Sequence, residues 1–204
     1  MARRTPLHVA RRLVAPVLLG LLAGCVPPAA TPVVTPPPVV VAAPVAVDPS
    51  RIESEATIAQ SVAATPGFAT LAAEVRTAEL GPLLGGDGPY TLFAPTDAAF
   101  TRLAPGVAHD LLAPENRAAL VALLRYHVVP GTMTTEELSA RIRAGGGRAV
   151  LTTLGGQSLT ATMTGDVVTL TSATGNTSYV EAADVAQVNG VIHVVNGVLI
   201  PKLP

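Results

Sequence analysis

The chain contains no tryptophan and only three phenylalanines and three tyrosines, so any core it forms must be assembled mainly from Ala, Val and Leu. It has one cysteine, Cys25, which excludes an intrachain disulfide and any stability drawn from a disulfide framework. Acids are missing from the first 47 residues: Arg3, Arg4, Arg11 and Arg12 precede an apolar run, and the first carboxylate is Asp48. Catalytic signatures are missing as well. There is no Gly-x-Ser-x-Gly elbow, no His-Glu-x-x-His helix, no phosphate loop and no Gly-x-Gly-x-x-Gly behind a strand. Gly145-Gly146-Gly147 has neither a lysine nor a strand leading into it, so it reads as a helix stop. These absences predict a chain that is not an enzyme and that takes neither a cofactor nor a metal.

What is present at the N-terminus is ordered like a signal peptide, with a basic segment followed by an apolar one. The apolar stretch from Leu13 to Ala23 has 11 residues, whereas a helix needs about 20 to cross a bilayer core. It ends in Leu22-Ala23-Gly24-Cys25, which resembles the lipobox of bacterial lipoproteins. The small residues let a peptidase reach the backbone, and the Cys25 thiol is the acylation nucleophile. Membrane lipid is therefore the expected partner of Cys25, since each buried acyl methylene contributes about 0.8 kcal/mol and about two chains hold a protein stably. Val26 rather than Asp follows the cysteine, a preference that in lipoproteins generally directs them to the outer membrane. The arginine pairs fit either general secretion or twin-arginine export.

Removing residues 1–24 leaves nine basic groups against 14 acidic ones, a formal charge of −5, which argues against a nucleic-acid partner. From Val26 to Ser50 the chain is Pro, Val, Ala and Thr with almost no charge. Proline fixes φ and removes the backbone donor, so residues 25–52 are expected to form a disordered tether. The folded domain is expected over 53–204, as a single copy with no internal repeat.

Within that domain the patterning changes from helical to extended. Ile58, Val62, Phe68, Leu71, Ala72 and Val75 predict two short helices parted by Pro66-Gly67. Tyr90 to Ala94 reads as a strand, with Thr96 as the N-cap of a following helix and Asp97 as an acid in its first turn. A helix from Pro114 and Glu115 carries Leu120, Leu123 and Leu124 and ends before His127. Thr134 and Glu137 have capping-box spacing for another, running to about Arg143. Strands are predicted over 149–154, 157–164, 167–171, 178–182 and 191–200, punctuated by Gly155-Gly156, Gly165-Asp166 and Asn189-Gly190. Helices first and strands second predict an α+β fold.

Three segments together carry a family resemblance. Thr91-Leu92-Phe93-Ala94-Pro95-Thr96-Asp97-Ala98-Ala99-Phe100, then Tyr126-His127-Val128-Val129-Pro130-Gly131, then Asn189-Gly190-Val191-Ile192-His193-Val194-Val195-Asn196-Gly197-Val198-Leu199-Ile200-Pro201 are similar, in order and spacing, to the signature segments of the fasciclin domain. The resemblance covers about residues 55–204. It implies a β-sandwich wedge edged by short helices, and a role in cell adhesion, biofilm or host and matrix contact. In animal relatives the Tyr-His segment is associated with integrin recognition, which makes Tyr126 and His127 the candidate binding residues. Asn196 stands where many members have Asp, so recognition there cannot draw on a negative charge.

Read as residues, the same segments have simpler roles. Phe93, Phe100, Val194 and Leu199 suit a half-buried sheet, and Thr96 and Asp97 suit a helix start. His127 follows a helix, where a ring donor can satisfy a loose carbonyl, and structure outweighs contact for it and Tyr126. His193 reads as a satisfied core residue, Asn196 as a turn or bulge position, and His109 as surface. Two functions follow for the anchored domain, with a protein or glycan as its partner: an adhesion or protein-interaction module, or an envelope receptor for a small molecule or glycan. An exposed apolar or edge-strand patch would favour the first, and a pocket of about 300 Å³ with convergent polar groups the second.

Overall fold

Local chemistry starts the helices where the sequence says it should. In the computed structural model, which describes residues 46–52, 54–103, 106, 110 and 113–202, helix α1 (Ile58–Ala64) opens on Thr57, whose hydroxyl accepts from the Gln60 amide while the Gln60 side chain returns to the Thr57 amide. Cys25 and His109 lie outside the described residues, as does nearly all of the proline-rich stretch. Helix α2 (Ala69–Thr77) follows the Pro66-Gly67 break. Helix α3 (Gly81–Leu84) carries no sequence signal beyond Gly-Pro, being a single turn. Helix α4 (Asp97–Thr101) follows strand β1 (Tyr90–Pro95), and Thr96 caps it. A 3₁₀ turn at Pro114–Asn116 leads into α5 (Arg117–Tyr126), and strand β2 (Val128–Pro130) comes next. Helix α6 (Thr135–Ala144) has the capping box of Thr134 and Glu137 and ends at Gly145.

The remaining strands are β3 (Arg148–Thr152), β4 (Ser158–Thr164), β5 (Val167–Thr171), β6 (Thr177–Gln187) and β7 (Gly190–Val195). They join β1 and β2 in one seven-stranded sheet of order β2-β1-β7-β6-β5-β4-β3. All neighbours are antiparallel except β1 and β7, which pair in parallel from Tyr90↔Gly190 to Pro95↔Val195. Two strands differ from expectation. Strand β6 runs past Ala182 to Gln187 because two register shifts, between Val180 and Ala182 and between Ala182 and Val185, bend it so that one strand serves both halves of the sheet. Strand β7 stops at Val195 rather than Ile200, because Asn196 and Gly197 turn the chain back over β6.

Bending at β6 closes the sheet into a wedge. Past the end of β3, the Leu154 amide donates to the Val128 carbonyl at 2.7 Å, and the Gly155 amide to the Arg125 carbonyl at 3.1 Å. The tight hairpin between β6 and β7 needs glycine at its exit: Gly190 has φ +150°, and a Cβ there would sit 1.8 Å from the Tyr90 carbonyl oxygen. Upstream of Glu53, Ile52 is buried and Val47 packs against the same core.

Two cores lie on opposite faces of the central strands. Ile58, Phe68, Leu71, Leu92, Leu120 and Ile192 join helices α1–α5 to one face. Phe93, Tyr126, Leu138, Leu159, Leu170 and Leu199 fill the inside of the wedge under α6. Strands β1 and β7 are buried on both faces, which is why they read as nearly continuous apolar runs without alternation.

Glu74 departs from this economy of apolar burial. It shares the inward face of α2 with Leu71 and Val75, has no exposed surface, and neither carboxyl oxygen has a hydrogen-bond partner. The charged groups on the packed neighbours do not reach it by any hydrogen bond or ion pair: Asp97 bonds amides at the start of α2, Arg117 pairs with Glu79, and Arg125 and Arg76 make no pair with it. Desolvation pushes its pKa up to about 8 from 4.5. Between those values the folded chain keeps a proton that the unfolded chain releases, so stability falls as pH rises and the loss levels off above about 8. Glu74→Met should therefore be more stable than the parent at pH 8 by a few kcal/mol, an advantage that shrinks toward pH 4.5 in denaturant titrations. A parent that gains stability from pH 6.5 to 8 would contradict this.

Candidate functional site

The candidate residues of the middle segment are interior. Tyr126, the last residue of α5, has no exposed surface: its phenol donates to the Ser158 carbonyl at 2.7 Å and accepts from the Ala173 amide at 2.8 Å. His127 is equally buried, with Nδ1 2.8 Å from the Leu123 carbonyl and Nε2 accepting from the Leu199 amide at 3.0 Å. A carbonyl can only accept and an amide can only donate, so these partners define the Nδ1–H tautomer. Burial pushes the His127 pKa down to about 4.

The other signature residues are also occupied by the fold. His193 holds Nε2 2.7 Å from the Met133 carbonyl, accepts from the Asp184 amide at Nδ1, and stacks on Phe93 with centroids 5.5 Å apart. Burial lowers its pKa too. The Thr96 hydroxyl accepts from the Ala99 amide. Asp97 does more than begin α4. Its carboxylate accepts from the Thr70 and Ala69 amides at 2.7 and 3.2 Å, capping α2, which has no side-chain cap of its own.

Asn189 is a residue the sequence marked only as a turn. Its Oδ1 accepts from the Ile58 amide and its Nδ2 donates to the Leu84 and Gly86 carbonyls, so one amide joins α1, α3 and the β6–β7 hairpin. The signals available were the Asn-Gly dipeptide and its place at the head of the third signature segment.

Asn196 is half-buried and reaches the surface. Its Oδ1 accepts from the Tyr179 amide at 2.9 Å and from the Ser178 hydroxyl at 3.3 Å, and its carbonyl accepts from Arg102 Nη1 at 2.7 Å. Beside it lies an open groove of about 310 Å³ between the end of α4, the start of β6 and the segment after β7. Arg102 and Tyr179 form its polar rim, with Val198 and Ile200 on its floor. Among the described residues no group of three or more His, Cys, Asp or Glu could hold a metal.

The fasciclin domain pattern matches residues 66–201. This chain belongs to the fasciclin family. It is similar to the Synechocystis protein sll1483, at 38% identity over 157 residues, covering 77% of this chain and 80% of that one. Human periostin is 34% identical over 125 residues, covering 61% of this chain but 13% of periostin. Pig transforming growth factor-beta-induced protein ig-h3 is 34% identical over 134 residues, covering 66% of this chain and 18% of that one. A domain pair of the insect cell adhesion molecule fasciclin I superposes with a TM-score of 0.64 at 17% identity, covering 71% of this chain and 51% of that one. The fold is thus the fasciclin wedge, and the chain is a fasciclin-domain protein related to adhesion-associated proteins, among them the insect cell adhesion molecule fasciclin I.

The two buried bonds of His127 bear on stability in a definite direction. Leaving a buried carbonyl and amide without partners costs about 1–3 kcal/mol each, so His127→Ala should lower the melting temperature by roughly 5 °C or more. Because its folded pKa lies below the ordinary 6.5, the His127 contribution to stability is full above 6.5 and is lost as pH falls toward 4, the unfolded chain taking a proton the folded one refuses. Thermal melts of the parent and His127→Ala at pH 7 and pH 5 check both points. An alanine variant as stable as the parent would overturn the structural role.

Proposed function

We propose that this chain is a lipid-anchored interaction module of a bacterial cell envelope, attached through acylated Cys25 and presenting its fasciclin domain for adhesion, biofilm formation or host and matrix contact. The observation that carries the interaction role is where the polar atoms of the signature segments go. Those of Tyr126, His127 and His193 are used inside the fold, so they support a surface without themselves being that surface. What remains exposed is the outer sheet with Val150 on edge strand β3 at 62% and Tyr179 at 43% exposure, the apolar and edge-strand character expected of a protein-contact module. The adhesion-associated relatives support the same reading.

The anchor rests on Leu22-Ala23-Gly24-Cys25. No described helix is long and apolar enough to cross a membrane, which is compatible with attachment through lipid. The second reading, an envelope receptor for a small molecule or glycan, is favoured by one feature, the groove of about 310 Å³ beside Asn196.

Mass spectrometry of the protein purified from membranes should find a mature N-terminus at Cys25 carrying a diacylglyceryl group. An unmodified thiol, or retention of residues 1–24, would refute the anchor. Cells lacking the protein should attach less to surfaces and form thinner biofilm. Wild-type protein should restore attachment, and Cys25→Ser should not. Equal attachment with and without the protein would remove the adhesion role.

A further inference from the structure

From the outer face of the sheet we infer a binding lane for an acidic polysaccharide, with a carboxylate-bearing sugar seated in the Asn196 groove. The inference rests on the glycan reading above and names its ligand class.

The groove presents donors and no acid. Arg102 spends Nη1 on the Asn196 carbonyl, and its remaining N–H groups make no bond among the described residues. Asn196 spends Oδ1 on Tyr179 and Ser178, which turns Nδ2 away from those partners, and Nδ2 has no partner among the described residues. An aspartate at this position would offer a second carboxylate oxygen instead. Asparagine therefore sets an uncharged donor beside a guanidinium, a combination that matches a carboxylate. Tyr179, exposed at the rim, offers a flat ring to the C–H face of a sugar, while Val198 and Ile200 form an apolar floor.

Beyond the groove the face continues in hydroxyls. Antiparallel register puts Tyr179, Thr169, Thr162 and Arg148 in one row across β6, β5, β4 and β3, in which Thr169 is buried with its hydroxyl bonded to Thr164, and Thr177, Thr171, Thr160 and Val150 in the next, which is the more open of the two. Helix α6 covers the opposite face, through Leu138 and Ile142, and on this face every residue of the two rows except Thr169 is at least partly exposed. Three strand spacings make each row about 14 Å long. The first row ends at Arg148, which with Arg141 flanks an open hollow of about 370 Å³. Neither arginine has an ion-pair partner among the described residues. The lane thus has a cation at each end and side chains that both donate and accept between them, in a domain whose mature chain is net acidic. A polyhydroxylated chain bearing carboxylates at intervals meets the arginines and the open hydroxyls of Thr177, Thr171 and Thr160. An acidic peptide would use the arginines and leave the threonine rows idle.

The test is calorimetric titration of the full mature chain with trigalacturonic acid, its methyl ester and a poly-glutamate peptide. Trigalacturonate should bind, with affinity falling as salt rises. The ester should bind about tenfold more weakly, the scale of a lost charge-assisted contact. Asn196→Asp keeps the Oδ1 acceptor and so should melt like the parent, yet weaken trigalacturonate about tenfold or more. Arg148→Gln, at an exposed position, should leave digalacturonate unchanged and weaken a hexamer. Equal binding of acid and ester, no binding of either, or binding of poly-glutamate alone would overturn the inference. So would parent-like affinity in Asn196→Asp. A parent chain that binds no trigalacturonate yet supports attachment in the cell assay sinks this inference alone, whereas equal attachment with and without the protein removes the adhesion reading.

Discussion

The wedge depends on one imidazole. His127 sits where α5 ends, a place where carbonyls lose their intrahelical partners, and its Nδ1–H answers the Leu123 carbonyl. Its other nitrogen receives the Leu199 amide, from a segment that has already left the sheet. One neutral ring therefore fastens the helical layer to the last turn of the chain. Tyr126 next to it does the same with a phenol, linking α5 to Ser158 and Ala173. The Tyr-His pair is a clamp between elements that are far apart in sequence, and the surface features around it, including the Asn196 turn, inherit their positions from that clamp.

The two most displaced titrations in the core oppose each other. Glu74 binds its proton more tightly in the folded chain, and His127 less tightly. Over the range where both differ from the unfolded chain, one favours acid and the other disfavours it, so their slopes offset; above about 6.5 only the Glu74 effect remains. The two groups also differ in kind. His127 is buried with both nitrogens satisfied, whereas Glu74 is buried with neither oxygen satisfied, and we find no structural compensation for it.

Much of this fold was legible because its instructions are local. The Thr134 and Glu137 capping box, the Pro66-Gly67 break and the Thr96 cap all act within a few residues. The three signature segments likewise carried the family and hence the wedge. The features that escaped are those set by distant partners. Asn189 reaches Ile58 and Leu84, Asp97 caps a helix that precedes it, and the bend in β6 answers to its pairing with two different neighbours. The groove was invisible for the same reason, since Arg102 and Asn196 meet only after β7 has turned back over β6. A period of two in the sequence says which way a strand faces, but not which strand lies beside it.

The parallel pairing of β1 with β7 has a consequence for when the domain can form. Strand β1 lies between β2 and β7, so its second ladder is absent until the final strand has been made. Ile192 and Val194 complete one core, Val195 and Leu199 the other, and the Leu199 amide closes the His127 clamp. Hairpins such as β3–β4–β5 can assemble early, but the central ladder spans about 100 residues of chain, a separation that slows folding. The nascent polypeptide is thus held open until β7 and Leu199 emerge, and a chain cut before residue 193 lacks the piece that both cores are waiting for.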